Sequence, residues 1–330
     1  METDESDRER GLMELDERQL DDIAALASAD RVVTIGTFDG VHRGHQLLLT
    51  RTRARAQELG LMSLGVTFEP IPAMVLRPDR FPGRLCPAEQ KQHLLVDAGI
   101  AQVLTLAFDL AFSRQSPESF MSWLAEATGM KELWVGEAFA LGRDRIGNVE
   151  RLREIGRDLG FSVTSLPRLM DDGIIISSSA IRTAIQGGNA LLAHHLLGRP
   201  FRVAGEVIHG AHLGRTIGFP TANVLPPDDL VQLPDGIYVS CAHVAGEDAP
   251  RHAMTYVGTR PTVNTGLRQV ETHILDFDGD LYGQTLAVDV LDHIRGDEVF
   301  DSLWALIAQL QRDEASTRAF FAASTRTDSN

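Results

Sequence analysis

The sequence predicts two folds in tandem: an α/β domain on a parallel sheet covered on both faces, then an antiparallel β-barrel or sandwich with a terminal helix. Three observations carry that expectation. Before about residue 200, apolar runs rich in β-branched residues alternate with stretches whose apolar residues recur at helical spacing, the rhythm of βαβ units. Beyond it, strand-like runs follow one another without intervening helices, as antiparallel strands joined by turns do. The chain of 330 residues also exceeds the size at which one core usually stops growing.

In order, the predicted strands of the first domain are 32–38, 62–68, 102–106, 132–136 and 161–166. Between them, 45–59, 89–98, 117–127 and 149–159 are predicted helices. The run ALLAHHLLGRP closes a helical stretch near residue 200. Five strand-like runs follow, at 202–208, 237–244, 253–257, 270–277 and 285–291. A last helix over about 301–322 places Leu303, Leu306, Ile307 and Leu310 on one face, suited to covering the β-domain. The expected organisation is an acidic leader (1–30), an α/β domain (31–187), a helical linker (188–199) and a β-domain (200–326).

Composition excludes several classes. A net charge of −15 argues against nucleic-acid partners, whose backbones are gripped through Lys and Arg. No run of eighteen apolar residues offers a membrane span. The acidic N-terminal stretch is neither a secretory signal nor an Arg-rich transit peptide. Cys86 and Cys241 match no zinc spacing and are too few for a disulfide scaffold, so a cytoplasmic location is expected. Nothing in the sequence sets the oligomeric state.

The run VVTIGTFDGVHRGHQLLL joins a strand, a glycine turn and a helix start. Such a junction presents backbone amides and a positive helix dipole to a phosphate. Gly36, Gly40 and Gly44 permit close backbone approach. His42 and His45 are three apart, so both rings lie on one side of a helix that begins near His42. Two imidazoles there can donate hydrogen bonds to phosphoryl oxygens as charge develops. The competing readings are two solvent-facing histidines and a metal-binding pair, the latter lacking a third ligand at a suitable spacing. Further on, ISSSAIRTAI puts serines ahead of a helix with Arg182 one turn inside it. Ser178 or Ser179 then reads either as an N-cap or as part of a polyphosphate site that Arg182 leans back to meet.

No GxxxxGK(S/T) run occurs, so a Walker-type kinase is not expected. HGAHLGRTIGFPTANV instead supplies a loop with Gly210, Gly214 and Gly218, stiffened at its exit by Pro220. Thr221 and Asn223 follow, a hydroxyl and an amide oxygen two residues apart, which in an extended segment face one hard cation such as Mg²⁺. An ordinary Gly/Pro turn is the alternative. In VETHILDFDGDLYG, alternation puts Glu271, His273 and Leu275 on one face. Glu271 there suits a group that orients a hydroxyl and takes its proton, the alternative being a surface Glu on an edge strand.

These motifs carry a resemblance. GTFDGVHRGH is similar to the HxGH signature of the nucleotidyltransferase superfamily. ISSSAIRTAI resembles its (S/T)SSxxIR element, and GRTIGFPTAN with VETHILDFDGDLYG resembles the riboflavin kinase signature. DGIYVS and YVGTRPTVN are similar to strands of the same family. In this order, over about residues 31 to 322, the chain resembles the bacterial bifunctional riboflavin kinase/FMN adenylyltransferase family. The resemblance implies a Rossmann-like nucleotidyltransferase domain followed by a barrel-shaped kinase domain. It implies ATP-dependent phosphorylation of riboflavin to FMN, then adenylylation of FMN to FAD with release of pyrophosphate.

Its implied residues are His42, His45 and Arg182 for adenylyl transfer, Glu271 for phosphoryl transfer, and Thr221 and Asn223 for Mg²⁺. ATP-binding is implied for Gly36, Phe38, Asp39, Gly44, Ser178, Ser179, Gly214, Arg215, Gly218 and Pro220. The chain departs from the family pattern at Ile71 (usually His), Ala138 (usually Asp or Asn), Leu141 (usually Phe), Asp297 (usually Glu) and Val299 (usually Lys). Two alternatives follow: a monofunctional riboflavin kinase with a weakened or re-specialised first domain, and a non-catalytic flavin-binding regulator.

Overall fold

The computed structural model describes residues 26, 29–142, 145–210, 213–259 and 268–327. Most of the acidic leader, Arg143 and Asp144, Ala211 and His212 of the glycine loop, and the RPTVN segment lie outside the described residues. The chain forms two compact units: residues 1–82 with 86–177, and residues 83–85 with 178–330.

The first unit is a five-stranded parallel sheet. Its strands are β1 (Arg31–Ile35), β2 (Met62–Glu69), β3 (Gln102–Ala107), β4 (Met130–Gly136) and β5 (Ser162–Leu166), in the order β3-β2-β1-β4-β5. The connecting helices are α1 (Arg43–Leu59), α2 (Ala88–Asp97), α3 (Pro117–Thr128) and α4 (Val149–Leu159). One face packs Leu48 and Leu49 of α1 with Leu95 of α2. The other packs Val33 and Ile35 with Phe120, Leu124, Leu152 and Ile155 of α3 and α4. Burial on both faces explains why β1 reads as a continuous apolar run.

Strand order reverses between β1 and β4. In open α/β sheets, ligands bind outside the carboxyl ends of the strands at such a switch point. The turn that leaves the carboxyl end of β1 is TFDGV. It begins at Thr37, so the predicted strand 32–38 runs three residues too far.

The second unit is a closed antiparallel barrel, which decides between barrel and sandwich. It is preceded by α5 (Ser178–Gln186) and α6 (Ala190–Leu197). Its strands are β6 (Phe201–Ile208), β7 (Ala222–Leu225), β8 (Gly236–His243), β9 (Arg251–Thr259), β10 (Arg268–Ile274) and β11 (Thr285–Gly296). The order is β6-β7-β10-β9-β8-β11, closing onto β6. β7 is absent from the five predicted strands because four residues directly after the Gly/Pro loop are too few to show an alternation. The fully buried Tyr238, Ser240, Thr255 and Thr272 alternate along the strands with an outer set. Ser240, Thr255 and Thr272 hydroxyls form a chain of hydrogen bonds at 2.7 and 3.0 Å, satisfying polar groups that burial would otherwise penalise.

The outer set includes Ile237, Met254 and Tyr256. With Phe219 and Ile294 they pack under Leu310 of the terminal helix α7 (Leu303–Thr327), which runs five residues beyond the predicted end. The unit also takes in the strap 83–85. Arg84 donates its N–H to the Asp229 carbonyl at 2.7 Å and accepts from Val231 at 2.9 Å, a parallel bridge beside Leu230.

Candidate active sites

The turn after β1 holds two side-chain-bearing residues in the left-handed region, Phe38 (φ 47°) and Val41 (φ 38°), beside Gly40 (φ 76°). Such conformations persist only where the surroundings over-determine them. Here Phe38 and Val41 are buried, the Gly36 N–H donates to the Val66 carbonyl, and the Thr67 hydroxyl donates to the Thr37 carbonyl. Gly36 lies under the Phe38 ring, which a Cβ would approach to 3.2 Å.

His42 is the N-cap of α1, its Nδ1 accepting the His45 N–H at 3.3 Å. That bond leaves the proton of a neutral His42 ring on Nε2. The three-residue spacing stacks the two rings, with centroids 3.6 Å apart and planes 17° apart. The Phe38 ring meets His45 edge-on at 5.3 Å. Gly44 is what admits the stack, since a Cβ there would lie 3.1 Å from the His42 ring. Burial, and secondarily the neighbouring His42, hold the His45 pKa well below the usual histidine value. His45 is therefore neutral at neutral pH and offers one N–H without competing for a proton. Asp39 is buried in the same turn, and Arg43 is paired with Asp171.

Two of the departures from the family pattern follow the carboxyl ends of β2 and β4. Ile71 is buried at the start of the short helix Pro72–Leu76, beyond the carboxyl end of β2. Ala138 is exposed after β4, and its carbonyl accepts from the Arg145 guanidinium at 3.0 Å. Ser178 and Ser179 are the first two residues of α5, inside the helix, so neither is its N-cap. Arg182 follows one turn later in the second unit, its Nε donating to the Gly83 carbonyl at 2.6 Å.

In the barrel, Asn223 of β7 and Tyr256 of β9 flank Glu271 of β10 as direct register partners. All three therefore leave the outer face together, on the side that α7 covers. Glu271 is buried there. His273 shares the face. Its Nδ1 donates to the Pro220 carbonyl at 2.7 Å and its ring lies 5.3 Å from Phe219, tying the loop exit to β10. Leu275, expected on the same strand face, lies one residue past the end of β10 in the following turn.

The glycine loop folds against these groups. A Cβ on Gly210 would come within 2.5 Å of the Asn223 amide nitrogen and 2.7 Å of its oxygen. One on Gly214 would lie 2.2 Å from the Phe219 carbonyl and 3.5 Å from the Thr221 hydroxyl. Gly218 adopts φ 88°, and Arg215 and Pro220 are exposed. Thr221 and Asn223 are thus each backed by a glycine.

Both cysteines are free. Burial, with Asp289 adding to it, pushes the Cys241 thiol up to about 11, which leaves it protonated and unreactive at neutral pH.

Comparison with known proteins agrees with the two-unit architecture. The FAD synthetase family model matches residues 25–180 and the riboflavin kinase family model matches residues 197–321. The bifunctional riboflavin kinase/FMN adenylyltransferase of Escherichia coli K12 is 40% identical over 88% of this chain and 92% of its own. That of Pseudomonas fluorescens is 40% identical over 89% and 94%. The chain belongs to the bifunctional riboflavin kinase/FMN adenylyltransferase family. A crystal structure described as a macrolide-efflux protein from Streptococcus pneumoniae is also similar, at 33% identity and a TM-score of 0.81 over 88% of this chain and 94% of that one. Among the described residues, no helix is long and apolar enough to cross a membrane.

This is therefore an enzyme of flavin cofactor synthesis with both transferase activities in one chain. Family membership favours that reading over the monofunctional kinase and the flavin-binding regulator. The stacked histidines belong to the FMN adenylyltransferase half, and the Asn223–Glu271–Tyr256 row to the riboflavin kinase half. Arg182 falls between the two matched spans.

Sequence reasoning passed over two residues. Tyr256 lies within a predicted strand, but its place opposite Glu271 depends on register, which alternation alone does not set. Lys91 is a buried ammonium that donates to the Phe68 carbonyl at 2.8 Å and to Glu69 at 3.0 Å, fixing the end of β2. A lysine four residues before Leu95, on the apolar face of a predicted helix, was the available signal.

Proposed function

We propose that the barrel half transfers the γ-phosphoryl group of ATP to the ribityl hydroxyl of riboflavin, with Glu271 as the residue that orients the hydroxyl and accepts its proton. The observation that carries this reading is the direct pairing of Glu271 with Asn223. Orienting the hydroxyl is the larger contribution of Glu271. Gly214, Arg215, Gly218 and Pro220 form the loop along which the ATP phosphates lie.

Thr221 and Asn223 suit Mg²⁺: both offer neutral oxygens, and Gly210 and Gly214 keep the space beside them clear of Cβ atoms. When bound there, the ion would neutralise charge on the nucleotide phosphates. In-line attack then needs no phospho-enzyme.

In the first half, the FMN phosphate attacks the α-phosphorus of a second ATP and pyrophosphate leaves. His42 through Nε2–H, and neutral His45, donate to the phosphoryl oxygens as charge builds, supported by the amino terminus of the 17-residue α1. Gly36, Phe38, Asp39 and Gly44 shape this turn. Ser178, Ser179 and Arg182 are assigned to the polyphosphate on the strength of the (S/T)SSxxIR resemblance. Two free cysteines and ATP as co-substrate fit a cytoplasmic enzyme.

The test is a time course with riboflavin, ATP and Mg²⁺, resolved by chromatography. FMN is expected first and FAD after it. Supplying FMN with CTP or GTP in place of ATP, and looking for the dinucleotide, reads whether Ile71 and Ala138 have altered nucleotide choice. Failure to form FMN at all would overturn the reading of the barrel site.

A further inference from the structure

We infer that Gly83 and its strap, fixed by Asp229 and Val231, position the Arg182 guanidinium for adenylyl transfer, so that residues within the riboflavin kinase span tune the other reaction. The inference rests on the assignment of Arg182 to the ATP polyphosphate made above.

A guanidinium is planar, so a bond from Nε sets the direction in which both terminal nitrogens point. In Arg182 that bond is the 2.6 Å contact to the Gly83 carbonyl, across 99 residues of sequence. The carbonyl is in turn held in place. Gly83 adopts φ 91°, and a Cβ there would lie 2.6 Å from both the nitrogen and the Cα of Val231, so any side chain at this position must shift the strap. The next residue, Arg84, is bonded through its backbone to Asp229 at 2.7 Å and Val231 at 2.9 Å. Its buried side chain pairs with the Asp229 carboxylate at 3.0 Å.

The links run from Asp229 and Val231 through Arg84 and Gly83 to Arg182, all within the second compact unit. Residues 229 and 231 lie inside the riboflavin kinase match, whereas Arg182 lies outside it. Gly83 and Asp229 are positioning residues, because they act through Arg182.

The experiment uses the full-length chain and measures both activities on the same preparations of Gly83→Ala, Asp229→Asn, Arg182→Lys and the Gly83→Ala/Arg182→Lys double variant. Gly83→Ala is expected to raise the KM for ATP in FAD formation roughly tenfold, the order expected for a misdirected charged hydrogen-bond donor. Asp229→Asn acts in the same direction by less, and FMN formation keeps its kcat and KM in both. In the Arg182→Lys background, which has no Nε–H, Gly83→Ala should add no further loss.

Losses that multiply in the double variant, or riboflavin kinase activity that falls in parallel, would overturn the inference. So would unchanged FAD formation in Gly83→Ala and Asp229→Asn while Arg182→Lys is impaired. Normal FAD formation by Arg182→Lys would instead remove the assignment of Arg182, and the inference with it. If Gly83→Ala does not fold, Asp229→Asn alone and with Arg182→Lys makes the same comparison.

Discussion

Asn223 and Glu271 are direct cross-strand partners on β7 and β10, and their side chains leave the same face of the barrel. Cross-strand neighbours of this kind have Cβ atoms about 5 Å apart, a separation at which an amide and a carboxylate can serve one reacting group. Glu271→Ala is expected to lower the rate of FMN formation by about two to four decades, the range for loss of a positioned acid–base group. Riboflavin binding, followed by quenching of its fluorescence, should survive the change, as should FAD formation from supplied FMN. A variant that releases FMN at the normal rate would remove Glu271 from the mechanism.

Gly210 makes a separable prediction for the same site. Its Cα faces the Asn223 amide so closely that a methyl group would overlap it. Gly210→Ala should therefore displace Asn223 and reduce FMN formation by at least about tenfold through misplacement alone. Gly283, whose Cβ would meet nothing within 4 Å but whose φ is 72°, makes a useful control. Alanine there should cost about 1 kcal/mol of stability and leave the rate of phosphorylation near normal.

His42 has two roles that substitution can separate. As N-cap of α1 it satisfies the His45 N–H, and as a ring with Nε2–H it faces the phosphate site. His42→Ala loses both, at a cost of about 1 kcal/mol in stability and a fall in FAD formation. His42→Asn restores a capping side chain without restoring the imidazole. Thermal denaturation should therefore recover in the Asn variant while FAD formation does not; joint recovery would make the ring merely a cap.

His45 predicts a pH dependence of stability. Its folded pKa lies below the usual value of 6.5, because burial and His42 oppose the charged form. The unfolded chain thus binds a proton that the folded chain resists. As pH falls through about 6.5, the unfolded state gains protons first and stability drops; above that pH both states are neutral and the effect vanishes. Denaturant midpoints at pH 8 and pH 5.5 read this directly. The difference between them should shrink in His45→Gln and would be unaltered if His45 were solvated.

These residues differ in how far the sequence reveals them. The His42–His45 stack is legible because three-residue spacing at a helix start dictates it, and the parallel sheet because strands such as β1 and β2, buried on both faces, alternate with helix-period stretches. β7 was hidden by its length, though it carries Asn223. The role of Ser178 and Ser179 turns on where the helix begins, a matter of one or two residues that patterns do not set. The Arg182–Gly83 bond was out of reach because nothing local in either segment names a partner 99 residues away.

The terminal helix supplies the last prediction. α7 covers the outer face that bears Tyr256, Met254 and Ile237, and its Asp313 is bonded to the barrel strand β11. This carboxylate is 1% exposed and accepts from Arg295 of β11 through Nε at 3.1 Å and a terminal nitrogen at 2.8 Å, and from Gln309 at 2.8 Å. A bidentate pair to a buried carboxylate is geometrically specific, and removing one partner leaves the other with an uncompensated charge. Asp313→Ala should therefore destabilise the barrel unit by about 3 kcal/mol. Arg295→Ala costs at least as much, since it strands the more deeply buried member, whereas replacing both by apolar residues of matched size should recover most of the loss. The helix lies over the face that carries Glu271, so loosening it should also raise the KM for riboflavin before the unit unfolds. Calorimetry with riboflavin titrations on the three variants tests both parts, and a double variant as unstable as the singles would show that the pair does more than balance its own charge.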